Sequence, residues 1–101
     1  MQEAAVKILR FAHRARRLTF GMSATLRQMQ KRRIRLLILA DDISENSRKK
    51  VCEMAEAQRL PTLKFLSKGS IGELFGREEI GIIGVTDENF AKSILKVSEH
   101  A

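Results

Sequence analysis

Cysteine, proline and the bulkier aromatics are scarce in this 101-residue chain: one cysteine, one proline, no tryptophan, no tyrosine, five phenylalanines. Cys52 has no partner within the chain, so a reducing, cytosolic setting is expected; the residue suits a small apolar position on a helix. No apolar run approaches the ~20 residues needed to cross a bilayer, and nothing reads as a signal peptide, so no membrane partner is expected. Gly-x-Gly-x-x-Gly and the phosphate-loop lysine motif are both absent, leaving no direct support for a nucleotide cofactor; none is expected. Internal repeats, linkers and low-complexity segments are missing too. With 31% charged and 44% hydrophobic residues, the chain reads as one globular domain over residues 1–101, with a core that needs no staples; a monomer is assumed, since composition does not set the oligomeric state.

The net charge of +7 is unevenly spread. Residues 1–35 hold ten Lys and Arg against Glu3 alone, a net of +9, whereas residues 36–101 hold nine basic and eleven acidic residues, a net of −2. A near-neutral body with one basic third points to a polyanion, nucleic acid in the first place.

Leu36 to Ala40 is an unbroken apolar run without polar alternation, the pattern of a strand buried on both faces. Asp41 and Asp42 end it, and Ser44 with Glu45 opens a helix that runs to about Arg59 before Pro61. Before this strand, a helix is expected over Glu3 to about Arg17, with Ala5, Ile8, Leu9, Ala12 and Ala15 on one face and Lys7, Arg10, Arg14 and Arg17 on another. A short strand at Leu18–Phe20 leads through Gly21 into a helix at Met22–Gln30. After it come a strand at Thr62–Leu66, a short helix opened by a Ser70-x-x-Glu73 capping box, a strand at Ile80–Val85 and a last helix capped by Thr86 or Asp87. Such alternation predicts a three-layer α-β-α sandwich on a four-stranded sheet, largely parallel or mixed.

Gly21 before a helix start exposes amides and a positive dipole end, a natural anion site, with Arg27 projecting from the same helix. Lys31, Arg32, Arg33 and Arg35 close that helix at a density beyond what capping requires. Ser23 in Gly21-Met22-Ser23-Ala24-Thr25 is not a nucleophile elbow, because Thr25 stands where the second glycine belongs and no His–Asp pair accompanies it. Asp41 and Asp42 alternate across a strand and lack His or Cys company, so strand-edge solvation explains them better than metal or acid chemistry. Gly69-Ser70-Ile71-Gly72 has the outline of a backbone clamp but no basic residue. His13 has no companion ligand, and no metal is expected.

Leu39-Ala40-Asp41-Asp42-Ile43-Ser44-Glu45-Asn46-Ser47-Arg48-Lys49-Lys50 resembles the alanine–acid–aspartate signature of the ribosomal seven-Ae and thirty-e superfamily, closest to its small bacterial members. Leu60-Pro61, the turn Ile71 to Gly76 and Val85 to Ala91 follow in the same order and spacing, over roughly residues 7–96. The resemblance implies a non-catalytic protein of the translation machinery that grips structured RNA of the kink-turn kind. In the family's RNA-reading motif, Gly-x-Asn-Glu-x-x-Lys, Gly21 matches the glycine and Arg27 stands for the lysine, while Ser23 and Ala24 replace the Asn and Glu that meet base edges. Ile80 and Gly81 fit the loop that lies over the RNA bend; Glu78 and Glu79 beside them would repel phosphate.

The expected RNA contacts are therefore Gly21, Met22, Ser23, Arg27, Lys31, Arg32, Arg33, Arg35, Ile80 and Gly81. Ribosomal RNA is the expected partner, with ribosomal or translation proteins as further ones. The alternative from another class is a protein–protein module of the translation machinery, its basic third facing an acidic protein.

Overall fold

The structure, a computed structural model, describes residues 2–99; Met1, His100 and Ala101 lie outside. Its elements are α1 (Gln2–Arg14), β1 (Leu18–Phe20), α2 (Met22–Gln30), β2 (Leu36–Leu39), α3 (Glu45–Ala57), β3 (Thr62–Lys64), α4 (Lys68–Leu74), β4 (Ile82–Val85) and α5 (Glu88–Glu99). The sheet has the order β1-β4-β2-β3 and is mixed: β4 runs antiparallel to both neighbours, and β2 pairs with β3 in parallel.

β2 lies inside, as its unalternated sequence requires: Leu36, Leu37 and Ile38 are fully buried. Its side chains divide between two cores. Leu36 and Ile38 join Ile83 and Val85 of β4, Leu9 of α1, Ile71 of α4 and Ala91 and Ile94 of α5. Leu37 and Leu39 join Ile82, Met29 of α2 and Val51 and Ala55 of α3. Helices therefore cover both faces, giving the α-β-α layering.

Gly84 lets α2 lie close to the sheet. A Cβ there would stand 2.5 Å from Thr19 Oγ1 and 2.6 Å from Ile34 Cδ1. Thr25, the buried polar residue, shares a 2.9 Å hydroxyl–hydroxyl bond with Thr19.

The helix boundaries differ from expectation where local capping decides them. α1 stops at Arg14, so Arg16 and Arg17 lie beyond it and Ala15 is exposed rather than on the apolar face. α4 is capped one turn earlier than the Ser70-x-x-Glu73 box: Ser67 accepts from the Ser70 amide at 3.1 Å. Gly69 to Gly72 are consequently helical, which removes any clamp loop there. Asp87, not Thr86, caps α5, accepting from the Phe90 amide at 2.9 Å.

Four helices end on one device; α4 does so on Gly76, with φ of 68°, and the other three differ from it. The amides of Arg17, Arg33 and Leu60 reach back five residues to Ala12, Gln28 and Ala55, while those of Arg16, Arg32 and Arg59 reach back three. This turn places one residue in the left-handed region, usually glycine. Here the three residues are arginines, with φ of 59°, 56° and 55°.

Candidate functional site

The sheet has two ends, and the expected contacts divide between them. At one end β1 delivers the chain through Gly21, whose φ of 87° turns it into α2 while its amide donates to Ile82 O at 2.9 Å. α3, α4 and α5 are each capped by a side chain, Ser44, Ser67 or Asp87. α2 has no side-chain cap and no acid in its first turn; Thr25, accepted by Gly21 O at 3.2 Å, is its first amide with a helical partner. The amides of Met22, Ser23 and Ala24 thus present an uncompensated positive end.

This end borders a depression of about 240 Å3 lined by Gly21, Met22, Ile43, Ser44, Ser47, Lys68, Gly81 and Ile82. Lys68 and Arg77 add cations that sequence reading missed. The Lys68 backbone is held by its amide bond to Asp42 Oδ1, 2.8 Å, which gives Asp42 a structural task. The Arg77 guanidinium lies 4.5 Å from the centroid of Phe20, beside Gly21. His13 packs edge-on against Phe20 and Phe75, each ring 5.1 Å away. Ile80 is 3% exposed and sits in the core. Its side chain has no face for a ligand; it anchors the loop that brings Gly81 to the depression. Glu78 and Glu79 are exposed on that loop, which crosses Gly72 so closely that a Cβ would meet Glu78 O at 2.6 Å.

Ser23, Arg27 and Lys31 stand one turn apart along the exposed side of α2, a spacing that aligns them on one face. They lead from the helix N-terminus to the opposite end of the sheet, about 13.5 Å away for nine residues. There Arg33 and Arg35 meet Arg16 and Arg17 in a polar cleft of about 400 Å3, completed by Leu18, Thr19, Gln28 and Thr86. The sequence stripe had placed Arg17 on a helix face; the turn after α1 brings it and Arg16 beside the basic run.

Helix termination accounts for only part of this charge. A left-handed residue costs about 1–2 kcal/mol, glycine would forfeit about 0.5–1 in unfolded-chain entropy, and a cation at a helix C-terminus returns about 0.3–1. These nearly cancel, so one arginine per helix end is close to neutral. Arg17, Arg33 and Arg35 have no such explanation. Among the described residues, Arg35 alone of these cations has a carboxylate within ion-pair distance, Glu88 at 3.8 Å, with both side chains about half exposed.

Comparison with known proteins agrees with the fold. A solved structure of a protein of unknown function from Bacillus halodurans C superposes with a TM-score of 0.88, over 94% of this chain and 96% of that one, at 24% identity. "RNA-binding protein YlxQ" of Bacillus subtilis (strain 168) is 29% identical over 90 residues, 89% of this chain and 90% of its own length. The protein of the same name from Enterococcus faecium is 26% identical over 98 residues, 97% and 94% of the respective lengths. The model of the ribosomal protein L7Ae/L30e/S12e/Gadd45 family matches residues 3–95, and with that span of the fold and both edges of the candidate site inside the match, the chain belongs to this family.

Proposed function

We propose that this protein is a non-catalytic, cytosolic RNA-binding protein of the translation machinery, holding structured RNA at the N-terminus of α2 and along its exposed face. The observation that carries the reading is the uncapped α2 start, in a chain whose other internal helices are all capped. Phosphate oxygens fit the free amides of Met22, Ser23 and Ala24, and Arg27 and Lys31 continue the track for the backbone. Lys68 and Gly81 border the depression in which the next nucleotide rests. The names of the relatives support the same reading. Ribosomal RNA is the proposed partner.

Ser23→Asp tests it. A carboxylate in the first turn compensates the dipole and leaves the fold as stable or slightly more so, yet it occupies the amides and repels phosphate. RNA affinity should fall at least about tenfold, which corresponds to ~1.4 kcal/mol. Unchanged affinity for a ribosomal RNA fragment in a filter-binding titration at fixed salt would remove α2 from the interface.

A further inference from the structure

The cleft at the far end of the sheet is assembled from segments distant in sequence. Arg16 and Arg17 arrive in the turn after α1, Arg33 in the turn after α2, and Arg35 in the residue before β2. All four are exposed. Two of the contributing turns carry arginine in the left-handed position, Arg16 and Arg32, where glycine is the ordinary choice. The neighbouring acids do little to neutralise the group. Glu88 reaches Arg35 at 3.8 Å, and Asp87 uses Oδ1 to cap α5. Guanidinium groups that line one cleft suit a shared anion, and their paired N–H groups match phosphate oxygens.

We infer that this cleft is a second RNA phosphate site, separate from the N-terminus of α2, through which the protein bridges two RNA segments. It rests on the RNA-binding reading above and adds a second occupied surface to it. The lining favours RNA over an acidic protein. Among the described residues, Leu18 is the one apolar side chain lining the cleft, whereas a protein interface depends on buried apolar anchors. A nucleic-acid backbone needs only donors. Arg17 is set for this role by Thr86, whose amide and hydroxyl both donate to Arg17 O, at 2.9 and 3.1 Å.

The experiment compares the native protein with Arg16→Gly/Arg17→Ala/Arg33→Ala, in which glycine suits the left-handed position. One RNA hairpin is immobilised, protein is added, and capture of a second, fluorescent hairpin is read across salt; affinity for a single hairpin is titrated across salt in parallel. The variant should lose second-hairpin capture at least tenfold. The slope of log affinity against log salt for capture of the second hairpin should flatten by about two to three units, at ~0.9 per phosphate contact taken from duplex DNA. If the triple variant loses its fold, Arg17→Gln/Arg33→Gln repeats both readings with an expected flattening of about two units. Intact single-hairpin binding with unchanged slope and capture overturns the second site and leaves the α2 reading standing. Absence of any RNA binding by the native protein overturns both. Binding of poly-glutamate that the substitutions weaken, with the RNA slope unmoved, identifies an acidic protein as the occupant and overturns the proposal as well.

Discussion

The side-chain amide of Gln58 donates to the carbonyl of Met29 across 2.7 Å, tying the end of α3 to the end of α2. Met29 is fully buried, and its carbonyl, in the last turn of α2, also accepts from the Arg32 amide at 2.9 Å. Gln58→Ala should destabilise the protein by about 0.5–1.5 kcal/mol, the net worth of one intramolecular hydrogen bond, because the carbonyl keeps the Arg32 amide. A thermal midpoint lower by several degrees, at about 4–8 °C per kcal/mol for a domain of this size, is the expected reading. A midpoint within one degree of native would show that water replaces the amide.

Gly84→Ala should destabilise by about 1–3 kcal/mol through overpacking. The added methyl meets Thr19 Oγ1 and Ile34 Cδ1 at distances no real Cβ keeps, and neither side chain retreats freely. Thr19 is bonded to Thr25, and Ile34 is 1% exposed. Urea denaturation measures the loss. Equal stability would mean that α2 lifts from the sheet at no cost.

Glu45 and Arg48 form an exposed pair on the first turn of α3. Hydrogen bonding from Arg48, and then its charge, hold the Glu45 carboxyl below its ordinary value. The folded state therefore favours ionised Glu45, and this contribution is present above the unfolded value of ~4.3 and lost as pH falls through the lowered folded one. Glu45→Gln should lower the melting midpoint slightly at pH 7, and the difference should shrink as acid protonates Glu45 in the folded protein. The size is small because both groups are solvated. A difference that grows on acidification would contradict the pairing.

Base discrimination is the weakest point of the proposed RNA interface. Ser23 and Ala24 occupy the first turn of α2, where relatives of the kink-turn type are expected to carry Asn and Glu. A good bidentate base contact discriminates by roughly 1–3 kcal/mol, and alanine makes none. The protein should prefer a standard kink-turn over a stem with its G·A pairs replaced by no more than about tenfold. Ser23→Asn/Ala24→Glu should widen the gap. Titration of both RNAs at one salt concentration decides it, and a hundredfold preference by the native chain would show that backbone shape alone carries recognition.

Much of the architecture is legible in the chain itself, because its determinants are local. Leu36 to Leu39, apolar without alternation, had to be covered on both sides. Gly21 before Met22, and Pro61 after α3, mark a turn and a stop that follow from backbone freedom and a missing amide. The basic third is visible in how charge is distributed along the chain, and the family likeness in the ordered residues Leu39 to Lys50. Strand direction was not legible. β4 lies between β1 and β2 and opposes both, which depends on which helices fill each face rather than on any strand's own pattern.

The grouping of the charges also belonged to the tertiary structure. Read along the chain, Lys31 to Arg35 and the start of α2 form one basic neighbourhood. Folded, they lie at opposite ends of a nine-residue helix, and the company of Arg33 and Arg35 becomes Arg16 and Arg17. Sequence alone determined that this protein carries an excess of cations beside a sandwich fold. Only packing decided which of them share a cleft, because α1 and α2 both end at the same edge of the sheet, and side chains seventeen residues apart meet once both helices are docked.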